Sequence, residues 1–288
     1  MHKLPVFATV GRAYSFLVNE CGTIVRLSWL ALLLVTLVQY FAARATYEEM
    51  VAALEARNLA AASGPRMWEA VSGIFGVVGT AVVAVALHRV ILFGDRKDNQ
   101  YYYLGFGRVE LLFVLLPVAI GAIFLALSFL SAESDEESPF VLAAFAVIVF
   151  AFFYVMVRLS LIFPIVVVEG RYDFGQAWAL TRGNFWRLFA TWLVAVIPLL
   201  LIFMLLASLF GGLAGVGGMF EASQSDDPVG ATLRAAVETA EAAFSFPMIV
   251  LGFAFSLVSG AVGVAVLSYS YKFLCGFAPD AILSPPAT

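Results

Sequence analysis

The chain has 288 residues, of which 62% are hydrophobic and 12% are charged, and its formal net charge is -4 at pH 7. Ordinary soluble domains are about 45–50% apolar and about 25% charged, so this composition excludes a water-soluble globular protein. The net charge itself predicts little, because the distribution of Lys and Arg among the loops sets the orientation of a membrane protein. We therefore predict an all-α integral membrane protein.

Six segments match the roughly 20 mostly apolar residues that a membrane-spanning helix needs. The predicted spans are residues 27–43, 71–93, 111–130, 139–168, 188–220 and 242–271. Pro117 lies inside the third span, where a membrane helix tolerates it as a kink. Between the spans we expect short surface helices at 46–62 and 229–243, and an acidic turn at 131–138.

The basic residues predict the orientation of these spans. The amino terminus, the connections at 88–110 and 158–187 and the carboxyl terminus hold twelve Lys and Arg residues, whereas the opposite connections hold four. Thirteen of the twenty acidic residues lie on that opposite side. The positive-inside rule then places both termini in the cytoplasm, and we expect a multi-pass protein of the bacterial inner membrane. On that side Cys21 and Cys275 would stay reduced.

A recurring pattern of aromatic, glycine and arginine residues precedes spans one, three and five. It predicts three units, at residues 6–93, 95–168 and 172–274, within a single membrane domain covering 1–288. Each unit would consist of an elbow, a helix, an outer loop and a second helix. The elbows would be short amphipathic helices near 6–18, 96–106 and 172–182, lying in the membrane interface.

Five cations near the predicted cytoplasmic ends of the spans are candidates for a basic pocket that binds lipid or another anion. They are Arg89, Arg158, Arg182, Arg187 and Lys272. Guanidinium groups suit bidentate phosphate binding, and a charge as deep as Arg158 suggests function. The alternative is that these side chains only reach the cytoplasmic interface, as positive-inside placement requires. If Arg158 and Arg182 share one anion, Glu169 and Asp173 are the protein groups that would otherwise bridge them.

Aromatic and small residues have structural interpretations. Trp178, Trp186 and Trp192 are typical of an interfacial aromatic belt. Small residues at helical spacing indicate close helix approach, chiefly within the monomer. They are Gly73, Gly76 and Gly79 in the second span, and Gly252, Ser256 and Gly260 in the sixth.

Motifs for hydrolytic metal or nucleotide chemistry do not occur, and the only histidines are His2 and His88. We expect no cofactor, no metal site and no catalytic residue. The sequence therefore favours a protein without catalytic activity of its own, and an enzyme stays the alternative.

The segments Arg158-Leu-Ser-Leu-Ile-Phe-Pro, Val168-Glu-Gly and Ala177-Trp-Ala-Leu-Thr-Arg-Gly-Asn-Phe-Trp-Arg-Leu carry a family resemblance. They resemble the membrane domain of some bacterial glycerophosphoryl diester phosphodiesterases and of related uncharacterised proteobacterial inner-membrane proteins. The soluble catalytic barrel of those phosphodiesterases is missing here. The resemblance implies a multi-span membrane module connected with lipid metabolism, and it assigns no catalytic role to His88 or Arg89.

The sequence leaves three functions open. The first is a non-catalytic inner-membrane protein that binds or organises lipids, anionic phospholipid among them, or protein partners that the sequence does not identify. The second is a transporter or lipid-translocating protein, which needs a cavity lined by polar groups from several spans. The third is an intramembrane enzyme acting on lipid phosphates through an arginine clamp. No nucleic-acid partner is expected.

Overall fold

The computed structural model describes residues 3–55, 67–97, 99–132, 139–209, 241 and 244–276. These residues form helices and loops without any strand. The helices are α1 (Val6–Asn19), α2 (Cys21–Glu55), α3 (Met67–Phe93), α4 (Arg108–Ala132), α5 (Pro139–Leu159), α6 (Ile162–Glu169), α7 (Phe174–Thr181), α8 (Phe185–Ala207) and α9 (Phe246–Cys275).

Five helical stretches are long and apolar enough to cross a membrane. They are Cys21–Glu49, Met67–Phe93, Val147–Glu169, Phe185–Ala207 and Phe246–Cys275. Only 17% to 39% of the most apolar part of each is buried inside the protein, so most of this apolar surface is left for a hydrocarbon environment. The all-helical, multi-pass membrane class is therefore confirmed. The span predicted at 111–130 coincides with α4, and its status as a sixth crossing stays a prediction.

The fourth predicted span differs from expectation, because it consists of two helices. We expected one helix to continue past Arg158 to residue 168, but α5 ends at Leu159 and α6 begins at Ile162. Pro164 has no N–H to donate to the carbonyl of Ser160, four residues earlier, and its ring crowds that carbonyl. The Ser160 hydroxyl instead donates to the Val157 carbonyl over 2.8 Å. The break places the end of α5, and Arg158 with it, beside other helices.

Two of the three predicted elbows are helices. Helices α1 and α7 occupy the first and third positions, and Asp173 caps α7 by accepting a 2.8 Å hydrogen bond from the Gln176 N–H. The prediction for 96–106 was wrong, since the described residues of that segment form turns and irregular loop. Lys97 within it and Gly94 just before it have positive φ angles of 51° and 72°, a conformation that right-handed helices do not contain.

The two predicted surface helices, at 46–62 and 229–243, lie only partly in the described part of the chain. The prediction of a separate helix at 46–62 was wrong for residues 46–55, because these residues continue α2. Residues 56–62 lie outside the described part of the chain, as do nearly all of 229–243, the acidic segment 133–138 and the glycine-rich end of the fifth predicted span.

The chain divides into two compact units, each of which is described by itself. The first comprises residues 1–27, 81–195 and 260–288, and the second residues 28–80 and 196–259. In the first unit α6 supplies fully buried core residues, among them Ile162 and Ile165, which cluster with Val85, Phe113 and Leu188. In this unit α5 packs against α7, and α4 packs against α6.

The amino-terminal segment is attached to the first unit by polar contacts. The Leu4 N–H donates to Asn184 Oδ1 over 2.9 Å, and Arg187 Nη1 donates to the Leu4 carbonyl over 3.0 Å. The Tyr14 hydroxyl donates to the Ala195 carbonyl over 2.8 Å. Helix α1 is therefore held beside the first turns of α8.

Helices α2 and α3 approach closely in the second unit. A Cβ added at Gly79 would collide with the side chain of Val35, and one at Gly76 would lie 3.3 Å from Gln39 Nε2. By contrast, a Cβ at Gly73 or Gly252 would meet no atom within 4 Å. The small-residue interpretation thus holds for Gly76 and Gly79, where it concerns contacts within the monomer.

Candidate functional site

Arg158 is a buried cation in the first unit. Its residue surface is 4% exposed, because the end of α5 packs against α7. Its guanidinium carbon lies 4.3 Å from the centroid of the Trp178 ring. The aromatic face of Trp178 therefore covers one face of a cation that belongs to an apolar span.

The guanidinium lacks an anionic partner among the described residues. Its Nε is buried without a hydrogen-bond acceptor, and none of the described carboxylates forms an ion pair with it. A desolvated cation–π contact stabilises by about 2 kcal/mol, whereas desolvating an ion inside a protein costs several kcal/mol. The ring of Trp178 alone does not offset that cost, and the Nε–H group remains without an acceptor.

Arg182 comes directly after Thr181, whose hydroxyl hydrogen-bonds to the backbone of Arg158. The Thr181 hydroxyl lies 3.0 Å from the Arg158 carbonyl and 2.9 Å from the Ala177 carbonyl, and is close enough to donate to either. Arg182 itself is exposed at the end of α7. This contact joins the end of α5, which carries Arg158, to the end of α7, next to Arg182. That the two arginines share a ligand stays a prediction.

The two acids that we considered as protein bridges already have a cationic partner. Arg171 Nη2 lies 3.1 Å from Glu169 Oε2 and 3.7 Å from Asp173 Oδ2. Asp173 also caps α7 with its other oxygen. Both carboxylates are thus engaged at the α6–α7 turn, and neither forms an ion pair with Arg158.

The other three predicted cations have separate partners. Arg187 binds the Leu4 carbonyl, as described above, and Lys272 Nζ donates to the Ile91 carbonyl over 2.6 Å. Arg89 Nη1 lies 3.6 Å from Glu110 Oε1 and donates to the Tyr103 hydroxyl over 3.1 Å. That these cations line one pocket with Arg158 stays a prediction.

Glu110 is a residue whose importance the sequence analysis missed. It is 2% exposed and accepts hydrogen bonds from the Tyr103 hydroxyl at 3.1 Å and from the Gly107 N–H at 2.9 Å. Burial, followed by the negative charge of Glu110, raises the pKa of the Tyr103 hydroxyl above its ordinary value, so Tyr103 remains a donor. An acid in the first turn of an apolar helix, beside a glycine-rich loop, was the available signal.

A ladder of aromatic rings extends from Trp178. Tyr154 lies 6.1 Å from Trp178 and 4.8 Å from Phe185, measured between ring centroids. Trp186 continues the ladder at 5.0 Å from Phe185 and is 68% exposed. The exposure of these rings suits the predicted belt, and Trp178 has the additional contact with Arg158.

A cavity of about 660 Å³ lies in the second unit. Its polar lining comes from Thr36 and Gln39 of α2, Glu69 and Ser72 of α3, and Ser256 of α9. Polar groups from three apolar helices therefore converge on one space.

In the described part of the chain, no group of three or more His, Cys, Asp or Glu residues is placed to hold a metal ion. Comparison with known proteins adds no further assignment: no family model, no curated protein and no solved structure matches this chain.

Proposed function

We propose that this protein is a non-catalytic membrane protein that binds an anionic lipid, with Arg158 as the residue that receives the lipid phosphate. The observation that carries the proposal is the buried guanidinium, which rests on Trp178 and has no anion beside it among the described residues. An anion that enters this site regains the electrostatic stabilisation that burial removed from the cation.

Phosphate fits the chemistry of this site. The ring of Trp178 covers a face of the guanidinium plane, whereas the N–H groups lie in the plane and match two oxygens of a phosphate. The half-exposed aromatic side chains around Tyr154 and Trp186 would contact the glycerol and upper acyl region of a lipid. Arg182, on the adjoining helix, would supply a second positive charge.

The location is part of the proposal. The twelve-to-four distribution of Lys and Arg supports an inner-membrane protein with both termini in the cytoplasm. Arg158 would then face the inner leaflet. The resemblance to membrane domains of glycerophosphoryl diester phosphodiesterases supports a role connected with lipid metabolism.

Native mass spectrometry of the detergent-extracted protein tests this function. The wild-type protein should retain anionic phospholipid, and Arg158→Gln should reduce retention about tenfold, the effect of one lost charge-assisted contact. If Arg182 shares the phosphate, the double variant with Arg182→Gln should be non-additive. Arg108→Gln, an exposed arginine at the start of α4, is the charge-matched control. Equal retention by Arg158→Gln and Arg108→Gln would contradict the proposal.

Transport or lipid translocation is the second candidate. The cavity of the second unit favours it, because polar groups from three helices reach a mainly apolar space. Movement of a fluorescent lipid between leaflets in proteoliposomes distinguishes it from simple binding. Filling the cavity with Ser256→Leu should abolish such movement and leave lipid retention at Arg158 unchanged.

A further inference from the structure

A second cavity, of about 520 Å³, lies in the first unit, and Arg158 is not part of it. Helix α1 contributes Arg12, Ser15 and Asn19 to its walls, and α9 contributes Tyr269 and Lys272. The end of α3 and the loop that follows form the remaining wall, which includes Gly94 and Arg96. The volume is in the range of small-molecule sites, about 300–1,000 Å³.

The charged residues that line this cavity are mainly basic. Three are cations and one, Glu20, is an acid. Arg96 Nη2 lies 2.5 Å from Glu20 Oε1, so these two charges offset each other. Arg12 and Lys272 are left as an excess of two positive charges facing one space.

Both of these cations have donors to spare. Arg12 is exposed on α1, and its guanidinium carries five N–H groups. Lys272 uses one N–H for the Ile91 carbonyl, and two remain. The side chains of Ser15, Asn19 and Tyr269 add neutral hydrogen-bonding groups to the same lining.

Contacts from α2 hold the loop wall in place. Arg26 Nη2 donates to the Arg96 carbonyl over 2.7 Å, and the Thr23 hydroxyl donates to Glu20 Oε2 over 3.0 Å. The positive φ of Gly94 turns the chain immediately after α3, which brings Arg96 back toward Glu20. The cavity is therefore formed by anchored elements, as a preorganised site requires.

We propose that this cavity binds the phosphate group of a phosphomonoester, with Arg12 and Lys272 as its charge partners. A phosphomonoester carries about -1.5 to -2 charges at pH 7, which matches the excess of two positive charges. The neutral hydroxyl and amide groups would bind the alcohol part of the ester. This site uses neither Arg158 nor Arg182, the two arginines to which the proposed function gives the lipid phosphate, so either assignment stands without the other.

The phosphomonoester has two sources, a lipid such as phosphatidic acid or a soluble ester such as glycerol 3-phosphate. The first arm measures, by native mass spectrometry, phosphatidic acid retained from nanodiscs of phosphatidylcholine that contain it. The second arm titrates glycerol 3-phosphate into the protein in pure phosphatidylcholine nanodiscs by calorimetry. The arm that gives binding identifies the source.

In the positive arm Arg12→Gln should weaken binding about tenfold. Arg12 is exposed on the surface of α1, so its replacement should leave the fold intact, and a melting temperature equal to that of wild type verifies folding. Lys272→Gln should have a similar effect, whereas Arg108→Gln should leave binding unchanged in either arm. Arg158→Gln should leave glycerol 3-phosphate binding unchanged. In the phosphatidic acid arm Arg158→Gln should remove only the lipid held at Arg158, so the lipid retained by Arg12 and Lys272 is measured in an Arg158→Gln background.

The proposed site is overturned if neither phosphatidic acid nor glycerol 3-phosphate binds. It is also overturned if binding stays unchanged in correctly folded Arg12→Gln and Lys272→Gln proteins. If Arg158→Gln abolishes the phosphatidic acid signal and Arg12→Gln does not, the lipid occupies the Arg158 site, and this inference fails while the proposed function holds.

Discussion

Besides His88, two acidic or basic side chains, those of Glu110 and Arg158, are buried in the described part of the chain, and their surroundings differ. Glu110 has Arg89 and Tyr103 beside it, whereas Arg158 has only the aromatic face of Trp178. A buried charge with a hydrogen-bonded partner supports a structural role, because removing either partner leaves the other unpaired. Arg158 is a buried charge without such a partner among the described residues, and this is the observation behind the proposed lipid site.

Removing the negative charge of Glu110 should destabilise the protein. Glu110→Gln leaves the guanidinium of Arg89 beside a neutral group, at a cost of up to about 3 kcal/mol, because only the Glu110 side of this pair is fully buried. Thermal and denaturant unfolding of the purified protein in detergent measure this loss. The exposed pair of Arg44 and Glu48 provides a control, since Glu48→Gln should change stability by less than about 1 kcal/mol. Equal effects of the two substitutions would contradict a structural role for Glu110.

At the scale of the helices, sequence periodicity and composition identify the apolar segments but not their ends. Pro164 divides the fourth predicted span, and the positive φ of Gly94 and Lys97 replaces the middle elbow with a loop. That loop carries Tyr103 and Gly107, which bind Glu110, and Arg96, which binds Glu20. The non-helical conformation is therefore what positions both buried and cavity-lining charges.

The contact of α2 with α3 depends on Gly79. Gly79→Ala should destabilise the protein by about 1–3 kcal/mol, the usual cost of overpacking, because its Cβ collides with Val35. Gly73→Ala in the same helix is the matched control and should be neutral or slightly stabilising, since its Cβ meets open space.

Unfolding midpoints of both variants check this prediction. Combining Gly79→Ala with Val35→Ala should restore part of the loss, because the colliding side chain is shortened. A Gly79→Ala protein as stable as Gly73→Ala would show that the helices do not approach closely at this position.

At the scale of the whole molecule, the distribution of Lys and Arg predicts the orientation. In a Cys21→Ser, Cys275→Ser background, Ser134→Cys should react with an impermeant thiol reagent in intact cells. Asn99→Cys should react only after permeabilisation. The reverse pattern would invert the topology and place Arg158 at the opposite membrane face.

The sequence by itself determined the membrane class, the positions of the apolar helices and the cations at their ends. These properties follow from local composition, because each span must be apolar over its own length whatever it packs against. Helices α1 and α7 were predicted from the recurring pattern of aromatic, glycine and arginine residues before the spans. The resemblance and the inner-membrane location rest on sequence alone and stay predictions.

Only the tertiary structure decided which charges have partners. Arg89 meets Glu110, Lys272 meets the Ile91 carbonyl, and Arg187 meets the Leu4 carbonyl, the last two across 181 and 183 residues of chain. Such pairings depend on packing between distant segments, which a pattern along one segment does not encode. The same packing buried Arg158 over Trp178 and left its Nε without a hydrogen-bond partner. The sequence pointed to Arg158 as a deep cation, but only the fold shows what surrounds it.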